Sequence, residues 1–179
     1  MSNSLSDLVP EFAPKARELL QKCDDLHVVM HVTETLRTPF TQAKYWRQSR
    51  PAAVVNARIQ KLRADGAPFL ADCLERVGPH TGEHVTNALP GLSWHQWGEA
   101  MDCVWVANGK ETFSLKLTVG GVNGFHVYAE QAEKMGLTAG AFFKSIKDFP
   151  HVQLRGDASP LSHHSLHEID AVMKARFGP

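Results

Sequence analysis

His95 and Asp102 lie seven positions apart in the segment Ser93-Trp94-His95-Gln96-Trp97-Gly98-Glu99-Ala100-Met101-Asp102. An imidazole and a carboxylate together suit a borderline cation such as zinc, so spacing decides whether they can share one ion. On a continuous helix the two would share a face yet stand about 10.5 Å apart along the axis. On a continuous strand they would be further apart and on opposite faces. Only a turn between them brings both to one point, and Gly98 stands where that turn is needed. Asp102 also interrupts the apolar run Ala100 to Val106. A carboxylate buried there alone would cost roughly several kcal/mol or stay protonated. A metal or a basic partner removes that cost; the competing arrangement is a half-exposed strand with Asp102 in solvent.

A second segment, Lys147-Asp148-Phe149-Pro150-His151-Val152-Gln153-Leu154, supplies further candidates. Pro150 disfavours helix at Phe149, so His151 starts an extended stretch. Asp148, three residues earlier, can reach the same place from another direction. His95, Asp102 and His151 form a mixed nitrogen and oxygen set that suits Zn2+ and leaves a fourth position for water. The three carry one negative charge between them, so a divalent ion keeps net positive charge, lowers the pKa of bound water toward ~7 and polarises a substrate carbonyl. A carboxylate outside the ligand set must then take the proton and pass it to a leaving amine, a role that fits Asp148.

The elements that must position these residues read as a mixture of strands and helices. Residues 11 to 24 read as a helix, with Pro14 in its first turn. The β-branched stretch His27 to Thr35 reads as a strand. Pro39 opens a helix through Gln42, Tyr45 and Trp46, and residues 53 to 77 hold two more, split at Asp65-Gly66-Ala67-Pro68. A Gly- and Pro-punctuated segment, Gly78 to Gly91, precedes the His95 motif. Ala100 to Val106 reads as a buried strand followed by the turn Asn108-Gly109. Gly120, Gly121 and Gly124 mark a loop, and a helix follows from Val127 to Met135, ended by Gly136. His151 to Leu154 is a short strand. Ser165 to Phe177 is an amphipathic helix with Leu166, Ile169, Met173 and Phe177 on one face and a Ser165/Glu168 capping box. Strands between helices without regular βαβ alternation imply an α+β fold. No repeat interrupts it, so a single domain over 1–179 is expected.

Composition narrows the function classes. The 179 residues carry 19 Lys+Arg against 19 Asp+Glu, a balance unlike the basic excess of general nucleic-acid binders. Cys23, Cys73 and Cys103 are three scattered residues without a CxxC pair, which favours buried apolar thiols over a disulfide framework or a thiolate metal site. No stretch approaches the ~20 apolar residues of a membrane span. Met1 to Pro14 lacks a basic start followed by an apolar run, so a secretory signal is not expected. Of the ten histidines, His163, His164 and His167 form a cluster that could take a second metal but reads better as a solvated group. Trp94 and Trp97, flanking His95, suit cleft walls and plain core equally.

Ser93-x-His95-x-x-Gly98-x-Ala100-x-Asp102, followed by Asp148-x-x-His151, resembles the zinc D-Ala-D-Ala carboxypeptidase-like peptidases, and within them the L-alanyl-D-glutamate peptidases found among phage endolysins. His84-Val85-Thr86-Asn87-Ala88 leading to Gly91-x-Ser93 is similar to that branch's lead-in, and Gly136-Leu137-Thr138 also matches. Upstream, Glu34-Thr35-Leu36-Arg37-Thr38 with Gln42, Tyr45 and Arg50 resembles the family's Arg-and-Gln segment. The resemblance covers roughly residues 27 to 155. Ser49, where the family usually has Gly, and Ala139-Gly140-Ala141-Phe142-Phe143, where an aromatic and a glycine pair are common, depart from it.

The resemblance implies a central antiparallel sheet flanked by helices, a core of about 27–155 with a helical insertion of about 51–78, and the site at one sheet edge. It implies Zn2+ on His95, Asp102 and His151, Asp148 as catalytic base, and Arg37, Ser93 and Gln42 as substrate or oxyanion contacts. The implied activity is hydrolysis of peptidoglycan stem peptides, foremost at L-Ala–D-Glu. A D,D-carboxypeptidase, a D-Ala-D-Ala dipeptidase, or an inactive zinc-stabilised cell-wall-binding module are the alternatives. The expected partner is bacterial peptidoglycan, with no nucleic acid and no membrane insertion, for a monomer made in the host cytoplasm and acting on the wall after release.

Overall fold

Alternation along one strand organises the sheet. In the computed structural model, which describes residues 2–144 and 146–179, the strands are β1 (Val29–Glu34), β2 (Ala100–Ala107), β3 (Lys110–Thr112), β4 (Thr138–Ala139) and β5 (His151–Gln153). The α-helices are α1 (Ala13–Asp24), α2 (Pro39–Arg47), α3 (Ala52–Ala64), α4 (Pro68–Arg76), α5 (Gly124–Lys134) and α6 (Leu166–Phe177). The class is α+β, as expected, with a five-stranded antiparallel sheet. The chain divides into two compact units: residues up to Leu36 with Trp97–Gly156, and Arg37–Gln96 with Asp157–Pro179.

The first unit holds the sheet, in the order β1-β2-β5-β4 with β3 pairing on β2. Successive side chains of a strand point to opposite faces. Met101, Cys103, Trp105 and Ala107 of β2 thus enter one core with Ala16, Leu19 and Cys23 of α1 and Phe125, Tyr128 and Ala132 of α5. Each large apolar side chain buried there contributes about 1.5–3 kcal/mol. The Tyr128 hydroxyl, wholly buried, donates to Cys103 Sγ at 3.4 Å. Asp102 belongs to the alternate set and faces away from that core. The hairpin from β2 to β3 closes through Asn108 (φ 51°) and Gly109 (φ 73°), the left-handed pair that a two-residue turn of matching twist requires.

The expected helix from Val127 begins three residues earlier, at Gly124. The Asn123 side chain accepts from the Phe125 and His126 N–H groups, capping the helix before its apolar spacing becomes visible.

The second unit is helical. The expected pair between Arg50 and Gly78 is α3 and α4. Phe69, Leu70 and Leu74 of α4 are buried, as are Val55, Ile59 and Leu62 of α3 and Ile169 and Met173 of α6. The Ser165/Glu168 capping box is formed at the start of α6. The residue that caps α4, Ala67, has no side-chain acceptor to offer. Asp170 of α6 replaces it, accepting the Leu70 N–H at 2.8 Å. Among the described residues, no helix is long and apolar enough to cross a membrane.

Candidate metal centre

Cross-strand register brings two of the candidates together. Asp102 on β2 stands directly opposite His151 on β5, and directly opposed residues of an antiparallel pair project from the same face about 5 Å apart. Their side chains meet with His151 Nδ1 3.0 Å from Asp102 Oδ1. Both strands are inner strands of the sheet. The site therefore does not lie at a sheet edge, where it was expected. β2 is flanked by β1 and β5, so Asp102 is held from both sides, with Glu34 of β1 as its other neighbour.

His95 arrives by the turn that the spacing demanded. It sits on a short 3-10 helix, Trp94–Trp97, after which Gly98 takes φ 73°, a conformation that costs a residue with a Cβ. β2 begins two residues later. One ligand atom from each of His95, Asp102 and His151 lies within 4.8 Å of the others. His95 is 2% exposed and His151 8%. Two imidazoles and one carboxylate converging at that spacing, mostly out of water, suit a divalent metal ion with an open position. Burial pulls the His151 imidazole toward neutrality, but the bond to Asp102 and the charges of Asp102 and Asp148 outweigh it and raise its pKa above the ordinary histidine value.

Asp148 is exposed, on the turn that precedes β5. Its backbone is fixed at both ends: its N–H donates to Gly140 O at 2.9 Å and its carbonyl accepts from the His151 N–H at 3.2 Å. A Cβ on Gly140 would strike the Asp148 carbonyl oxygen, so this close crossing of chains needs glycine there.

The remaining candidates fall in the second unit. Arg37 Nη1 donates to Gln42 Oε1 at 2.9 Å, and its guanidinium lies over the Tyr45 ring, 5.1 Å from the centroid. The Arg37 N–H donates to His95 O at 3.3 Å. Gln42 is fully buried. Its Nε2 donates to Thr86 Oγ1 at 3.2 Å and to Ala88 O at 2.7 Å. Its Oε1 also accepts from Gln96 Nε2 at 3.2 Å. All four hydrogen-bonding positions of the Gln42 amide are taken by protein groups, Arg37 among them.

Ser93 is half-buried beside His95, and its N–H donates to Gln96 Oε1 at 3.3 Å. Gln96 also takes the Gly91 N–H at 3.0 Å, which makes it the hub of the turn before the motif. Sequence reasoning passed over Gln96. A polar residue next to a histidine gives no sign that it is fully buried.

Gln153 was also passed over, although its signal was present. It lies two residues after His151 in an extended stretch and so shares its face. Its Oε1 is 3.0 Å from His151 Nε2. Trp94 proves to be core, 3% exposed with its indole N–H on Asp157 O at 2.7 Å, whereas Trp97 is half-buried. His163 pairs with Asp157 at 2.7 Å and His167 Nδ1 lies 3.2 Å from Gly66 O. Among the described residues, His95, Asp102 and His151 are the one group of three arranged for a metal.

No curated protein sequence matches the chain. Among solved structures it is similar to the L-Ala D-Glu endopeptidase ChiX of Serratia marcescens. That likeness has 18% identity and a TM-score of 0.44, and covers 84% of this chain and 83% of the other. The family profile described as VanY, D-alanyl-D-alanine carboxypeptidase, matches residues 5–148, well over half of the chain. The matched span takes in Arg37, Gln42, Ser93, His95 and Asp102 and ends on Asp148. The chain therefore belongs to the VanY family of peptidoglycan-related peptidases and carries within it a His95–Asp102–His151 group able to hold a metal ion.

Proposed function

We propose that the protein is a zinc endopeptidase that cleaves the L-Ala–D-Glu bond of peptidoglycan stem peptides and serves a phage or prophage as an endolysin. The observation that carries the reading is the convergence of His95, Asp102 and His151 within 4.8 Å, with Asp148 three residues from the last of them. Zinc held there would polarise the scissile carbonyl and acidify a water molecule.

The chain's own residues do the rest. The exposed Asp148 carboxylate accepts a proton from the attacking water and returns it to the departing amine as the C–N bond breaks, leaving a carboxylate on the L-Ala side. Arg37, kept extended by Gln42 and Tyr45, offers N–H groups to the carbonyl oxygen as negative charge builds on it. Ser93 orients the peptide beside His95. The bond preference rests on the likeness of the His84 to Ser93 segment to L-alanyl-D-glutamate peptidases. In this protein the Thr86 hydroxyl and the Ala88 carbonyl of that segment hold Gln42. The proposed site of synthesis is the host cytoplasm, with action on the wall after release.

The family description favours one second reading, a D,D-carboxypeptidase. Digestion of defined stem peptides with mass analysis separates the two. Release of L-Ala-terminated fragments supports the endopeptidase, and release of free D-Ala overturns it. Asp148→Ala is expected to abolish cleavage; unchanged cleavage would remove Asp148 as the base.

A further inference from the structure

We propose that Gln153 fixes His151 as the Nε2–H tautomer and so makes Nδ1 the atom that ligates the metal. The inference rests on the zinc reading given above and extends it to a residue outside the ligand set.

The chain of constraints starts at Arg155. Its backbone carbonyl can only accept a hydrogen bond, and the Gln153 amide atom 2.7 Å from it is therefore the nitrogen. That orientation turns the amide oxygen toward His151 Nε2, 3.0 Å away. An amide oxygen can only accept, so His151 Nε2 must carry the hydrogen.

Gln153 has little freedom to turn over. It is 3% exposed and sits opposite Ala100 in the β2–β5 ladder. Arg155, whose carbonyl sets the amide, is itself held by an ion pair with Glu99, a residue 8% exposed. Between them the Leu154 N–H donates to Glu99 O at 2.8 Å, which ties this backbone stretch to the start of β2.

With Nε2 committed as a donor to Gln153, Nδ1, 3.0 Å from Asp102 Oδ1, is the ring nitrogen left to ligate an ion. Without an ion, a proton on Nδ1 serves the contact with Asp102, and a metal ion would take its place. The Gln153 contact thus aims Nδ1 at the site. Gln153 is a positioning residue; it does not touch the substrate.

Two measurements test this. In zinc-loaded wild-type protein, two-bond 1H–15N correlation of the histidine rings should show His151 with hydrogen on Nε2 and none on Nδ1. Hydrogen on Nδ1 would overturn the proposal without any variant. Zinc affinity, measured by chelator competition, should fall about 10–100-fold in Gln153→Leu. Thermal unfolding of the metal-free Gln153→Leu protein confirms that it folds, and the ring-nitrogen measurement on wild type tests the proposal independently of the variant. Equal affinity in wild type and Gln153→Leu would sink this inference alone. A wild-type protein that binds no zinc would sink the zinc reading itself and this inference with it.

Discussion

Replacing Gln42 by Leu separates what holds the second unit together from what touches substrate. The exchange is close to isosteric, so cavity formation contributes little and the loss is polar. Four hydrogen bonds go: from Arg37 and Gln96 to the amide oxygen, and from the amide nitrogen to Thr86 and Ala88. Their costs are unequal. Arg37 is half-buried and can turn to water, and Thr86 keeps the Ala88 N–H at 3.1 Å. The Gln96 amide is fully buried and the Ala88 carbonyl half-buried, so these two bear the penalty. At about 1–3 kcal/mol for each stranded group, less for the half-buried one, Gln42→Leu should cost about 2–4 kcal/mol. In a chain of this size that lowers the melting temperature by about 4–16 °C. Urea unfolding followed by tryptophan fluorescence measures the free energy. At temperatures where the variant is folded, cleavage of a stem peptide should still fall, because Arg37 has lost its support. A loss of stability under about 0.5 kcal/mol would refute the hydrogen-bond reasoning; full activity in the folded variant would refute the link to Arg37.

Three shorter expectations follow from other parts of the molecule. Burial pushes the thiols of Cys23, Cys73 and Cys103 up to about 12, so at pH 8 the native protein should leave an aromatic disulfide reagent unreacted until denaturant is added. Asp170→Ala removes the acceptor at the α4 N-terminus and should cost about 1 kcal/mol in urea unfolding at pH 7. Burial raises the Asp170 carboxyl despite its bonds from Leu70 and Phe69. The proton-linked part of its stabilisation is therefore complete below the unfolded carboxylate range and lost as pH rises through the folded value, while the bond from Leu70 remains at pH 7. Asp170→Asn should lose less than Asp170→Ala at pH 7, and a larger loss would contradict that sign. Gly140→Ala forces the Asp148 turn away from its place. It should lower kcat for stem-peptide cleavage at least tenfold, and an unchanged kcat would show that the turn does not set the base.

Much of this was legible in the chain itself. The turn at Gly98 followed from spacing alone, because no regular element joins His95 and Asp102 at metal distance. The break of the apolar run at Asp102, the Asn108-Gly109 hairpin and the Ser165/Glu168 capping box are local signals, and each reports on neighbours within a few residues. What was hidden depends on pairing at long range. The opposition of Asp102 and His151, 49 positions apart, is a matter of strand register, and nothing in either segment says that both belong to inner strands. Gln42 and Gln96 look like surface residues by type; their burial follows from the segments that close over them. The start of α5 at Gly124 was missed because the cap is a side chain of Asn123, not an apolar period.

Titration of metal-free protein with zinc, in wild type and in Asp102→Ala, is the measurement that bears most directly on the site. One tight site per chain in wild type, weakened by orders of magnitude in Asp102→Ala, is the predicted result. Absence of zinc binding in wild type, or equal binding in the two proteins, would contradict the assignment of His95, Asp102 and His151 as the metal centre.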